Sequence, residues 1–192
     1  MFLEMTFEWR TSMLTDEMFI EKSVQYGAYK AYVIDIDKIT FDEGLRSYCE
    51  VNYCGSFGKN YACPPDIGSV REVIDKAKAY KKALVFQTIG QLEDSYDFEG
   101  MQEAARLHTK VSNQIDHDMK LQFADYLQLT VGGCTVCPVC AIVEKQSCRF
   151  PDRAVSSLEA YCMNVSNLAS LCGMKYINGK DTVTYFGAFL FR

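Results

Sequence analysis

Cysteine spacing constrains this chain more than any other feature. From Gly132 the sequence runs Gly-Gly-Cys134-Thr-Val-Cys137-Pro-Val-Cys140, then seven residues, then Cys148-Arg-Phe-Pro151. Three thiols at two-residue intervals let a short loop wrap one face of a metal centre. A C-x2-C-x2-C run followed by a cysteine close to a proline is the cluster-loop pattern of bacterial ferredoxins. Structural zinc sites are built from two C-x2-C units, so a third equally spaced cysteine in one loop points to iron–sulfur instead. Gly132 and Gly133 allow a sharp bend and a close backbone approach with no Cβ in the way.

A second group lies upstream as Cys49-x4-Cys54-Gly-Ser-Phe-Gly-Lys-Asn-Tyr-Ala-Cys63-Pro-Pro. With Gly55, Gly58, Pro64 and Pro65 and no helical or strand period, this segment reads as a loop. The candidate ligands are therefore Cys49, Cys54, Cys63, Cys134, Cys137, Cys140 and Cys148. Two four-iron clusters with all-cysteine ligation need eight thiolates, and the two loops supply seven. Three arrangements stay open: Cys148 crossing over to join the upstream trio, one complete cluster on the downstream four with zinc or an incomplete cluster upstream, or one cluster drawing on both loops. Lys59, Arg149 and Arg153 stand close enough in sequence to stabilise an anionic centre or to be ordinary surface charge.

Nine cysteines, an odd and clustered number, fit metal-bound thiolates in a reducing cytoplasm better than a disulfide framework. Glu4 and Glu8 interrupt the first ten residues, which lack the pattern of an export signal. With only His108 and His117 available, any metal site rests on sulfur, which selects zinc, Cu(I) or iron–sulfur. The net charge of −5 argues against nucleic acid or an anionic membrane as a partner. No window approaches the roughly 20 apolar residues of a membrane helix. No phosphate loop, dinucleotide fingerprint or nucleophile elbow is present, and Gly55-Ser-Phe-Gly58-Lys59 has the wrong spacing for the first of these.

The chain reads as a single α/β domain over residues 1–192, α+β being the alternative, with a central mixed sheet, flanking helices and cysteine-rich loops. Helices are expected at 16–26 behind Thr15, from the Ser69/Glu72 capping box to about Tyr80, and from Met101 through Met119 on the stripe Ala104, Leu107, Val111, Ile115. A further helix is expected from a second capping box at Ser156/Glu159, carrying Leu158, Cys162, Val165, Ala169 and Cys172 on its apolar stripe and stopping at Gly173. That stripe assigns Cys162 and Cys172 to the core. Strands are expected at 29–36, at 83–89 with both faces covered, at 126–131, and as a hairpin of 174–177 with 182–191 across Asn178-Gly179. His108 and His117 read as surface residues or as supports behind a site's ligands, and the acidic pairs Glu93-Asp94 and Asp116/Asp118 as solvated faces.

Combined, Tyr/Phe-Gly-Lys-Asn-x-x-Cys63-Pro-Pro, Gly-x-Cys134-x2-Cys137-x2-Cys140, Cys148-Arg-Phe-Pro151, Ser157-Leu-Glu-Ala160 and the closing Thr-Val-Thr-Tyr-Phe-Gly strand resemble the domain of unknown function 2284 family of predicted metal-binding proteins. The similarity covers roughly residues 30–192. It implies a cytoplasmic metal-binding, iron–sulfur protein with no established reaction, and glycine in many members where Cys162 stands fits a non-ligand role there. The expected function is 4Fe-4S binding, in one or two clusters, for electron transfer to a redox partner protein or as an accessory redox module. The alternatives are a structural zinc or metal-handling protein, and an enzyme using a cluster with an open iron. A cavity with polar groups against an under-ligated metal site separates enzyme from carrier.

Overall fold

A computed structural model describes residues 14–192. The reading of the first ten residues lies outside them. Helix α1 (Asp16–Gln25) is capped by Thr15, whose hydroxyl accepts from the Met18 amide. Strand β1 (Lys30–Asp35), helix α2 (Leu45–Val51) and helix α3 (Val70–Lys78) follow, then strand β2 (Lys82–Gln91). At α3 the Ser69 hydroxyl accepts from Glu72 N while the Glu72 carboxylate accepts from Ser69 N, as the sequence predicts. Helix α4 (Phe98–Gln122), strands β3 (Tyr126–Thr130) and β4 (Ser156–Ser157), helix α5 (Val165–Leu171) and strand β5 (Thr182–Phe191) complete the order.

The fold is α/β: one mixed five-stranded sheet in the order β1-β2-β5-β3-β4, antiparallel except for the β3–β4 pair, with helices on both faces. β2 explains the layering. Its continuous apolar run sends Ala83 and Val85 into a core with Val73, Ile74 and Ala77 of α3 and Leu168 and Ala169 of α5. Leu84 and Phe86 point the other way, to Phe19 of α1 and Val111, Ile115 and Met119 of α4. A strand buried on both faces has no polar side, which is why its sequence does not alternate. Among the described residues no helix is long and apolar enough to cross a membrane.

Four expectations are corrected. Residues 174–177 form no strand; β5 instead pairs along its whole length with β2, Lys82 opposite Phe191 through Gln91 opposite Thr182. The Ser156/Glu159 signal opens no helix: Ser156–Ser157 pair with β3, and only a single 3-10 turn, Glu159–Tyr161, follows, with the Ser157 hydroxyl accepting from Ala160 N. Leu158 and Cys162 therefore precede α5, which Asn164 caps, although Cys162 is still fully buried. Asp118 is buried, accepting from the Tyr26 hydroxyl at 2.7 Å with the Lys22 ammonium at 3.3 Å.

His108 is the fourth. It is fully buried, whereas Leu107, expected on the stripe, is exposed. Ala104, His108, Val111 and Ile115 are the true inward row. The His108 ring stacks on Phe86 at 5.0 Å, and Nδ1 lies 2.9 Å from the Thr88 hydroxyl. Burial pushes its pKa down from 6.5 to about 4. The unfolded chain then binds a proton between those pH values that the folded chain does not, so stability falls as pH drops from about 6.5 towards 4. The expected loss is about 3 kcal/mol at the acid end of that window. Urea midpoints of metal-free protein across this range should show it, and His108→Gln should flatten the slope. An equal slope in the variant would exclude this assignment.

Candidate metal centre

β3 delivers the downstream cysteines. Its last residue, Thr130, leads into Gly132, whose φ of +71° turns the chain sharply and favours glycine. Beyond it the backbone has little regular structure, only 3-10 turns at Ala141–Glu144 and Pro151–Arg153. Arg149 ties this loop to itself, donating to the Val139 carbonyl at 3.1 Å and to the Glu144 carboxylate at 2.6 Å. Cys134, Cys137, Cys140 and Cys148 line one cavity together with Asn60, Tyr61, Arg149 and Phe150. The cavity is narrow, about 20 Å³, which is roughly the room of one water.

The upstream cysteines belong to a second cavity. Cys49 sits on α2, not in a loop as its surroundings in sequence suggest, and Asn52 ends that helix at φ +60°. The Asn52 side chain accepts from Phe57 N, and Gly58 N donates to the Pro64 carbonyl, which folds residues 52–64 back on themselves. Cys49, Cys54 and Cys63 line a space of about 370 Å³ with Tyr48, Tyr53, Phe57 and Glu159. Burial and then the neighbouring thiols of Cys54, Cys49, Cys134 and Cys140 push the Cys63 thiol up to about 11. Four of the candidate thiols border one cavity and three the other, and Cys63 also feels Cys134 and Cys140 across the boundary between them.

The two cavities touch through a few named atoms. Asn60 Nδ2 donates to the Cys134 carbonyl at 2.8 Å, while its Oδ1 accepts from Ala62 N at 3.0 Å. The Tyr61 hydroxyl donates to the Gln146 carbonyl. A Cβ placed on Gly133 would lie 3.2 Å from Asn60 Nδ2 and 3.3 Å from Cys63 Sγ, so glycine there permits the close approach of the two loops. Asn60→Ala should cost about 1–2 kcal/mol, because it strands the Cys134 carbonyl and the Ala62 amide. Tyr61→Phe, which removes an exposed bond, should cost less. Chemical denaturation of both variants checks the order, and equal losses would contradict it.

Among the described residues no three His, Cys, Asp or Glu side chains converge closely enough to hold a metal ion as they stand. Each thiol group borders a space instead of meeting at a point, so ligation requires the side chains to move. The donor chemistry nonetheless fits a thiolate-bound centre, since all nine cysteines are free and the seven candidates fall into the two cavities.

Arg149 borders the four-thiol cavity; Arg153 stacks on Phe150 and borders a separate cleft by Cys134; Lys59 is exposed. Cys172 is buried away from both groups, and burial raises its thiol to about 12. Cys162 stands at φ +58°, the left-handed region where glycine costs least. Sequence reasoning missed Asn60, Glu159 and Arg46. The spacing of Glu159 from Ser156 reads as a helix cap, and Arg46 carries no pattern that marks it as buried.

No curated protein and no solved structure matches the chain. The profile of the predicted metal-binding proteins DUF2284 matches residues 32–191, which takes in both cysteine groups, and the chain belongs to that family.

Proposed function

We propose that this is an iron–sulfur protein with two thiolate centres, acting as a redox module in a reducing cytoplasm. The observation that carries the reading is the partition of seven cysteines between two adjoining cavities, four and three. Cys134, Cys137, Cys140 and Cys148 would hold one four-iron cluster completely, and Cys49, Cys54 and Cys63 would hold a second with one position free of protein sulfur. Bound clusters of this type supply one-electron chemistry.

The chain's own part is ligation, insulation and access. Arg149 fixes the downstream loop beside its thiols, and Asn60 and Gly133 keep the two groups adjacent, which suits electron exchange between them. The four-thiol loop presents Val139, Val143 and Phe150 to solvent, an apolar rim for a redox partner protein. The three-thiol cavity is roomier and is bordered by Glu159 as well as aromatic side chains. A polar group beside an under-ligated site favours a bound small molecule there, so the module serves a reaction at that cavity and not carriage alone. Filling the narrow four-thiol cavity requires its loop to spread, coupling ligation to local folding.

A second reading, zinc at the four-thiol site, is favoured by that cavity's small size. Electron paramagnetic resonance on anaerobic protein reduced with dithionite decides between them. Two interacting half-integer-spin signals are expected; a silent spectrum from protein reconstituted with iron and sulfide would overturn the cluster reading.

A further inference from the structure

Arg46 is an arginine inside the protein without an acid to match it. Its residue is 8 % exposed. The guanidinium donates to the Gly68 carbonyl at 3.1 Å and towards the Ala160 carbonyl at 3.4 Å, while Nε is buried with no partner. None of the ion pairs among the described residues involves it. Arginine stays protonated in proteins, so the charge is permanent. A buried charge without a counter-ion is costly. A sequence that keeps such a cation places an anion beside it.

The position names that anion. Arg46 and Cys49 lie three residues apart on α2, a spacing that puts them on one helical face. The second carbonyl that Arg46 meets belongs to Ala160, which borders the three-thiol cavity with Cys49, Cys54 and Cys63. The same guanidinium draws the Cys49 thiol down against burial, and does the same to Cys162. Glu159 acts on Cys49 in the opposite sense, and Asp42 and Glu43 likewise on Cys162, but neither set closes an ion pair with the arginine.

We infer that Arg46 is the built-in counter-charge of the Cys49/Cys54/Cys63 site, so that this site takes a net-negative thiolate-bound centre and sets its potential through a fixed cation. The inference rests on the two-centre reading above. Arg46 is a positioning residue here: it touches no reacting atom, and its effect falls on the reduced, more negative form of the centre.

The test is a potentiometric titration of the loaded protein, followed by paramagnetic resonance. A Cys134→Ala/Cys137→Ala background isolates the three-thiol centre, and Cys49→Ala/Cys54→Ala isolates the four-thiol centre as control. Arg46→Met should shift the reduction equilibrium of the three-thiol centre at least tenfold towards the oxidised form, about 59 mV for one electron. Arg46→Lys, which keeps the charge but not the fork that spans two carbonyls, should recover most of that shift. The control centre should not move. If Met and Lys act alike, Arg46 is a hydrogen-bonding strut and the proposal falls; if neither shifts the potential, it falls too. Wild-type protein that takes no iron and sulfide at the upstream thiols would overturn the two-centre reading itself, and this inference with it.

Discussion

Protein carrying Cys134→Ala together with Cys137→Ala, purified anaerobically, is expected to hold about four iron and four sulfide per chain where the unaltered protein holds about eight of each. Two ligands must go at once. A single replacement leaves three thiols on that loop, the number with which the upstream site is proposed to hold its own cluster. The cavities share a border at Gly133 and Asn60 but no cysteine, so the upstream centre should survive the double change. Loss of all iron would mean that one cluster draws ligands from both loops. Retention of all of it would mean that the downstream cysteines are scaffolding.

Gly187→Ala is expected to cost about 3 kcal/mol of folding stability, the upper part of the usual range for overpacking a core. Gly187 lies opposite Phe86 in the β2–β5 pairing. A Cβ there would fall 2.5 Å from both Cε1 and Cζ of Phe86 and 3.3 Å from His108 Nε2. Phe86 has nowhere to retreat: it is fully buried, stacked on His108 at 5.0 Å and on Phe189 at 6.2 Å. The aromatic ring covers the glycine across the strand pair, which is how a sheet tolerates glycine in its middle. Urea unfolding should show the loss, and Phe86→Leu in the same chain should restore part of it, a non-additive coupling expected of touching residues. A near-neutral Gly187→Ala would contradict the packing described.

The grouping of the cysteines was legible because spacing is a local property of a loop: thiols close in sequence border the same cavities. So were α3, whose two capping bonds lie within four residues, and β2, whose unbroken apolar run has no other use in a layered fold. What failed was local signal meeting stronger distant pairing. Asn178-Gly179 is a good hairpin turn, yet Thr182–Phe191 finds a ten-residue partner in β2 and a second in β3, and the turn yields. The Asn178 side chain is used instead to tie the loop, donating to the Lys175 carbonyl and the Thr184 hydroxyl. Ser156 and Ser157 likewise go to β3 before they can start a helix. His108 was misplaced by a single position along α4, because a helix stripe can be drawn through Leu107 as easily as through its neighbour. The division of seven thiols into four and three is one of three arrangements that the spacing leaves open, and spacing alone does not rank them. It depends on α2, the 52–64 loop and the loop after β3 being folded together by contacts between residues far apart in the chain, such as Asn60 with Cys134.

The central claim, two iron–sulfur centres on seven cysteines, is tested most directly by metal and acid-labile sulfide analysis of protein purified without oxygen. About eight iron and eight sulfide per chain are predicted for two four-iron clusters. Colourless protein with stoichiometric zinc and no sulfide, unchanged after reconstitution with iron and sulfide, would contradict it.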